Sequence, residues 1–255
     1  MTTIEALILG IIQGLTEFFP VSSSGHLKLI QTLFGFKELD KYIVFDLACH
    51  LGTLCSIFFI FGKEIIEILS KNRDRLFQVI LGTLPLFPLV LILKPIKTLF
   101  DQPQFLGYFF LITAGLIWLG MRFEPKPTKN KWKDAAIIGG FQALAILPGI
   151  SRSGSTTSGA RMLGWAPSEA LTFSFLLAIP AILGGTILEA IHLMSVTTNE
   201  LPPISLPQYL TGFIASFIVG TGCLILLKNL VRKHSFMYFA WYCLLLGFFC
   251  LYLFK

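Results

Sequence analysis

Residues 147–158 read Leu-Pro-Gly-Ile-Ser-Arg-Ser-Gly-Ser-Thr-Thr-Ser, a set of groups suited to holding an anion. Arg152 can grip a phosphate through two parallel N–H bonds, which a lysine cannot do. Ser151, Ser153, Ser155 and Thr156 add hydroxyls, and Gly149 and Gly154 let backbone N–H groups approach closely. The flanking sequence is strongly apolar. An arginine at bilayer depth costs from about 2.5 kcal/mol upward, so it is retained for an anionic partner or a polar cavity. The stretch therefore predicts a phosphate cradle inside a membrane.

A second reactive cluster lies at residues 13–26, Gln-Gly-Leu-Thr-Glu-Phe-Phe-Pro-Val-Ser-Ser-Ser-Gly-His. Gln13 and Glu17 are four apart and share one helix face. Glu17 in a membrane needs Arg152, a metal ion or a proton as partner. As a plain ion pair with Arg152 it would only tie the two clusters together, yet buried pairs are weak stability devices. A carboxylate beside a carboxamide suits Mg²⁺ or Ca²⁺, which take oxygen ligands and share them with substrate phosphates. No organic cofactor is implied. Ser22, Ser23 and Ser24 precede a helix start, where they can cap the helix or help its N-terminus bind an anion. His26 follows them as a candidate base, acid or nucleophile. His50, His192 and His234 lack such surroundings and read as structural or interfacial. Arg161 reads as snorkelling to the interface, and Asp46 is open between an interface role and support of the site.

These residues must be positioned by membrane helices. Of 255 residues, 55% are hydrophobic and 13% charged, with mean hydropathy +0.76, against about a quarter charged in soluble domains. The expected fold is an all-α polytopic membrane protein forming one domain over 1–255. Six spans are expected near 43–61, 76–93, 105–121, 168–191, 208–227 and 236–254. Pro85, Pro88 and Pro95 predict a kink in the second, and Pro180 with Gly184–Gly185 a break or bend in the fourth. Residues 4–36 and 134–164 instead read as short apolar helices with a polar break, the pattern of re-entrant hairpins. Cys49, Cys55, Cys223, Cys243 and Cys250 all fall in apolar runs and read as buried small hydrophobes. The N-terminal run has Glu5 where a cleavable signal would have basic residues.

The two hairpins look like copies. A shift of 129 residues superposes Ala6 on Ala135, Ile8 on Ile137, Gly10 on Gly139 and Gln13 on Gln142. It also superposes Leu15 on Leu144, Ser22 on Ser151, Ser24 on Ser153 and Gly25 on Gly154. Three spans lie between them, so the second copy (130–255) is inverted relative to the first (1–121), a recurring way to build a midplane site. The loops 62–75, 122–133 and 228–235 carry four, five and three Lys or Arg, against six on the other side. By the positive-inside rule those loops are cytoplasmic and both termini outside. The net charge of +6 is thus explained by topology, not by nucleic acid.

On these residues the chain resembles the undecaprenyl-diphosphate phosphatases of the bacitracin-resistance type. The two motifs Gln13–His26 and Leu147–Ala160, separated by three spans, carry the resemblance, which covers the full length. It implies hydrolysis of a C55 lipid diphosphate to the monophosphate in the bacterial cytoplasmic membrane, recycling the carrier for peptidoglycan synthesis and conferring bacitracin resistance. It also implies a site open to the extracytoplasmic side, six membrane helices and two re-entrant pairs. By motif position the active-site set is Glu17, Ser23, His26 and Arg152, with Ser151 and Thr156 as phosphate contacts. Where the family often has Glu, this chain has Gln13, which can ligate a cation through its carbonyl but supplies no charge. The attacking group stays open among Ser23, His26 and water, and a homo-oligomer stays open too. The rival reading is a polyprenyl-phosphate carrier or flippase using the same site. Two-histidine lipid phosphatases are excluded as close relatives, because no His follows Arg152 within several residues.

Overall fold

A computed structural model describes residues 1–89, 102–128, 130–193, 204–230 and 236–255. Among them only helices and turns occur. The helices are α1 Thr3–Phe18, α2 Ser23–Leu33, α3 Ile43–Ser70, α4 Arg73–Thr83 and α5 Leu106–Gly120. They continue with α6 Lys131–Leu144, α7 Arg152–Met162, α8 Pro167–Leu193, α9 Leu206–Leu230 and α10 Phe236–Leu253. Five of these segments are long and apolar enough to cross a membrane: Ile43–Ser70, Pro103–Gly120, Pro167–Ile191, Leu206–Leu227 and Phe236–Leu253. The chain is a multi-pass helical membrane protein. The expected span at 76–93 begins as α4, turns at Leu84–Pro85 and is helical again over 86–89. Its remainder lies outside the described residues.

Both short helix pairs stand where the sequence puts them, α1–α2 and α6–α7. Each second helix is capped by a serine. Ser22 Oγ accepts the N–H of Gly25 at 3.4 Å, and Ser151 Oγ accepts that of Gly154 at 3.0 Å. Replacing such caps costs about 1 kcal/mol. Each first helix packs on a neighbouring helix through a glycine. A Cβ on Gly10 would lie 2.6 Å from the carbonyl of Gly212, and one on Gly139 2.5 Å from that of Gly82. Only bare backbones can approach so closely, the usual basis of helix association without a hydrophobic driving force.

Two expectations need correction. Pro180 lies inside an unbroken α8. Of the expected break or bend, the break is absent, because neighbouring groups in a membrane bundle can satisfy what one proline frees. The cysteines form no disulfide, but Cys55 is exposed, unlike Cys49, Cys223, Cys243 and Cys250; at an outward position on α3 it faces away from the bundle. Behind the hairpins Phe18 meets Phe175 edge-on, with centroids 5.6 Å apart, in a core with Ile57, Phe61 and Leu224. That core closes α1 against α3, α8 and α9 and leaves Glu17, beside Phe18, at its polar end.

Candidate active site

The two loops meet backbone to backbone. A Cβ on Gly25 would lie 2.9 Å from Cα of Gly149, whose φ of +103° itself favours glycine. The N–H of Gly149 donates to Ser22 Oγ at 3.1 Å, so one serine oxygen joins both loops. Thr113 of α5 braces the second loop by donating to the Gly149 carbonyl at 2.9 Å and accepting from Ser151 N at 3.0 Å.

Glu17 is the hub of this junction. Its Oε1 accepts from Arg152 Nη2 at 2.5 Å. Its Oε2 accepts from Ser23 Oγ at 2.6 Å and from Gln13 Nε2 at 2.9 Å. His50 Nε2 stands 3.6 Å from the same oxygen. A cavity of about 410 Å³ opens beside them. Its polar end holds Glu17, Ser22, Ser23, Ser24, His50, Ser151 and Arg152. Its apolar wall includes Ile43, Leu47, Phe87, Ile146 and Pro180. A charged end and a hydrocarbon wall in one cavity suit an amphiphile with an anionic head.

The other expected site residues are placed differently. His26 is buried away from that cavity. Its Nδ1–H donates to the Ser22 carbonyl at 2.7 Å and its Nε2 meets Tyr242 Oη at 2.8 Å, with the ring stacked on Tyr242. Both nitrogens are engaged, so in this arrangement His26 holds the first loop. Ser153 donates to the Phe19 carbonyl at 2.9 Å. Thr156 donates to the Arg152 carbonyl at 2.8 Å and bonds Ser174 Oγ at 2.6 Å. The N–H groups of Gly149 and Gly154 are taken by Ser22 and Ser151. Ser153, Thr156, Gly149 and Gly154 therefore build the cradle without lining its cavity. Arg161 is buried rather than snorkelling. Its guanidinium donates to the carbonyls of Trp165 (2.7 Å) and Phe123, because the loop beside α7 turns those oxygens inward.

Sequence reasoning missed His50, Thr113, Ser174 and Tyr242. His50 was read as structural, yet it faces Glu17. The spacing gave no signal: the ring's Nδ1–H donates to the backbone carbonyl of Asp46 at 2.7 Å, which any residue there would offer. Asp46 supports the site, accepting from Gln31 Nε2 of α2 at 2.7 Å. His192 and His234 give no test, since the side chain of the first and all of the second lie outside the described residues.

For a divalent cation the donor chemistry is sparse but suitable. Among the described residues no three His, Cys, Asp or Glu side chains cluster. However, Gln13 Oε1 is buried with no hydrogen-bond partner, on the same amide whose Nε2 donates to Glu17 Oε2. A cation that arrives with a diphosphate could take those two oxygens and fill its remaining positions with phosphate and water.

A sequence model of the family Bacitracin resistance protein BacA matches residues 6–249. The chain is 54% identical over 248 residues to an undecaprenyl-diphosphatase of Protochlamydia amoebophila, covering 97% of this chain and 96% of the relative. It is 42% identical to one of Carboxydothermus hydrogenoformans, covering 97% and 95%. It is 36% identical to one of Alkaliphilus metalliredigens, covering 95% of each.

Proposed function

The chain belongs to the Bacitracin resistance protein BacA family, and from that membership and the site geometry we infer that it is an undecaprenyl-diphosphatase. It hydrolyses undecaprenyl diphosphate to undecaprenyl phosphate and inorganic phosphate, returning the lipid carrier to cell-wall synthesis. The single observation that carries the reading is the Glu17–Arg152–Ser23 junction at the polar end of a cavity with a hydrocarbon wall.

In the mechanism we infer, the diphosphate enters between the loops and takes Arg152 from Glu17, exchanging a carboxylate for a bidentate phosphate contact. Glu17 then accepts the proton of Ser23, already hydrogen-bonded to it at 2.6 Å. Ser23 Oγ forms a bond to the terminal phosphorus as the bridging P–O bond breaks. Undecaprenyl phosphate leaves, its developing charge held by Arg152. The departing lipid phosphate carries that first proton away from Glu17. Water then attacks the phosphoserine and gives its proton to Glu17. Glu17 returns it to Ser23 Oγ as the P–O bond breaks and inorganic phosphate departs. A divalent cation held by Glu17 and Gln13 Oε1 would supply charge neutralisation to the anhydride when bound. Ser23 is favoured as nucleophile over His26, both of whose ring nitrogens are engaged.

The paired glycine contacts support the inverted repeat. Gly10 corresponds to Gly139 and Gly212 to Gly82 within one residue, and the contacts pair them alike. On that repeat and the positive-inside rule, both termini and the open end of the site face the extracytoplasmic side. The test is phosphate release from undecaprenyl diphosphate by the purified protein, with and without Mg²⁺, beside Arg152→Ala. Cation-stimulated release that the substitution abolishes supports the reading. Lipid binding without release favours the carrier reading.

A further inference from the structure

We propose that His50 is a substrate-contact residue that reads the terminal phosphate and so separates the diphosphate substrate from the monophosphate product. This rests on the hydrolase reading above. The Glu17 carboxylate lies between two nitrogen groups, the Arg152 guanidinium at Oε1 and the His50 ring near Oε2. Without substrate that carboxylate occupies the place an anionic oxygen would take. The Arg152 contact is a full hydrogen bond at 2.5 Å. The His50 contact, at 3.6 Å, is too long to be one. An arriving phosphate oxygen displaces Glu17 Oε2 from beside the ring and comes within hydrogen-bond distance, sharing one proton with Nε2.

The ring is built to point there. Its Nδ1–H is committed to the Asp46 carbonyl at 2.7 Å, which leaves Nε2 as the cavity-facing nitrogen. Asp46 is tied to α2 through Gln31, and α2 begins at Ser23. Ser216 Oγ donates to the carbonyl of Cys49, next to His50, at 2.8 Å and pins α3 on α9. Ile43, Leu47 and His50 form one stripe of α3 along the cavity, apolar for the tail and polar at the head. The side chain is 23% exposed, against 6% for His26; of the two, His50 is the one a ligand can reach.

The experiment uses the purified full chain in lipid nanodiscs as wild type, His50→Ala and His50→Gln. Affinities are measured for a non-hydrolysable prenyl methylene-bisphosphonate and for undecaprenyl monophosphate, with kcat/KM for phosphate release in parallel. His50→Ala should weaken the bisphosphonate about tenfold or more, the scale of one hydrogen bond to a charged group. It should leave the monophosphate within about twofold. His50→Gln, which can still present an N–H, should recover most of the loss. Equal weakening of both ligands, or no weakening of either, overturns the proposal. If the wild type releases no phosphate, the hydrolase reading fails, while the two affinities still decide the role of His50.

Discussion

The two hairpins share a scaffold and divide the chemistry. Each has a glutamine thirteen residues into its aligned stretch, a loop, and a serine cap. Among the aligned positions where they part, Glu17 stands against Ile146, Ser23 against Arg152 and His26 against Ser155. In the proposed mechanism the first hairpin holds base and nucleophile, and the second holds the arginine that receives the phosphate. The glutamines diverge in the same sense. Gln13 donates to Glu17, whereas Gln142 donates to the backbone carbonyl of Gly82 at 3.1 Å. One backbone can serve two chemical purposes when the caps are kept and the side chains beside them change.

The division can be broken most severely at Ser23. Ser23→Ala should lower kcat by about 10⁴-fold, the scale of losing a nucleophile. Rapid quench with ³²P-labelled substrate should find phosphoserine in the wild type and none in the variant; an undiminished rate would return the attack to water. Next comes Arg152→Ala, expected to cost about 10³-fold in kcat/KM, with Arg152→Lys recovering only part because it cannot bind bidentately. His26→Phe tests whether the first hairpin carries further chemistry. We expect a rate change below about tenfold and a stability loss of about 1–3 kcal/mol from the Ser22 carbonyl and Tyr242 hydroxyl left unpaired. A rate loss as large as that of Ser23→Ala would restore His26 as a reacting group. The smallest effect belongs to the caps. Ser151→Ala should cost about 1 kcal/mol in thermal or denaturant unfolding, and Ser22→Ala somewhat more, because Ser22 also receives Gly149. Equal losses would mean that the loop-to-loop bond adds nothing.

Much of this was legible in the chain. The hairpins show as apolar runs too short and too polar to span, one stopped at Pro20 and the other at Pro148, each followed by serines and glycine. Glu17 and Arg152 stand out because a membrane makes charge costly. At His26 the three preceding serines suggest a reactive neighbourhood. Its ring instead turns to Tyr242, 216 residues away, and sequence spacing cannot show such a contact. His50 was hidden in the converse way, looking like one polar residue on a long span until packing brings α3 beside Glu17. The continuity of α8 through Pro180 likewise depends on neighbours, not on the local sequence.

The hydrogen bond from Gly149 N to Ser22 Oγ spans 127 residues, and this has a consequence for biosynthesis. At about 5–20 residues per second, the ribosome needs roughly 6–25 s to make that interval. Throughout it the first hairpin sits in the translocation machinery or the lipid with Glu17 short of its arginine and Ser22 short of half its cap. The nascent first half is therefore the stage at which a membrane chaperone or a quality-control protease has the most to recognise, and the arrival of the second loop ends that exposure.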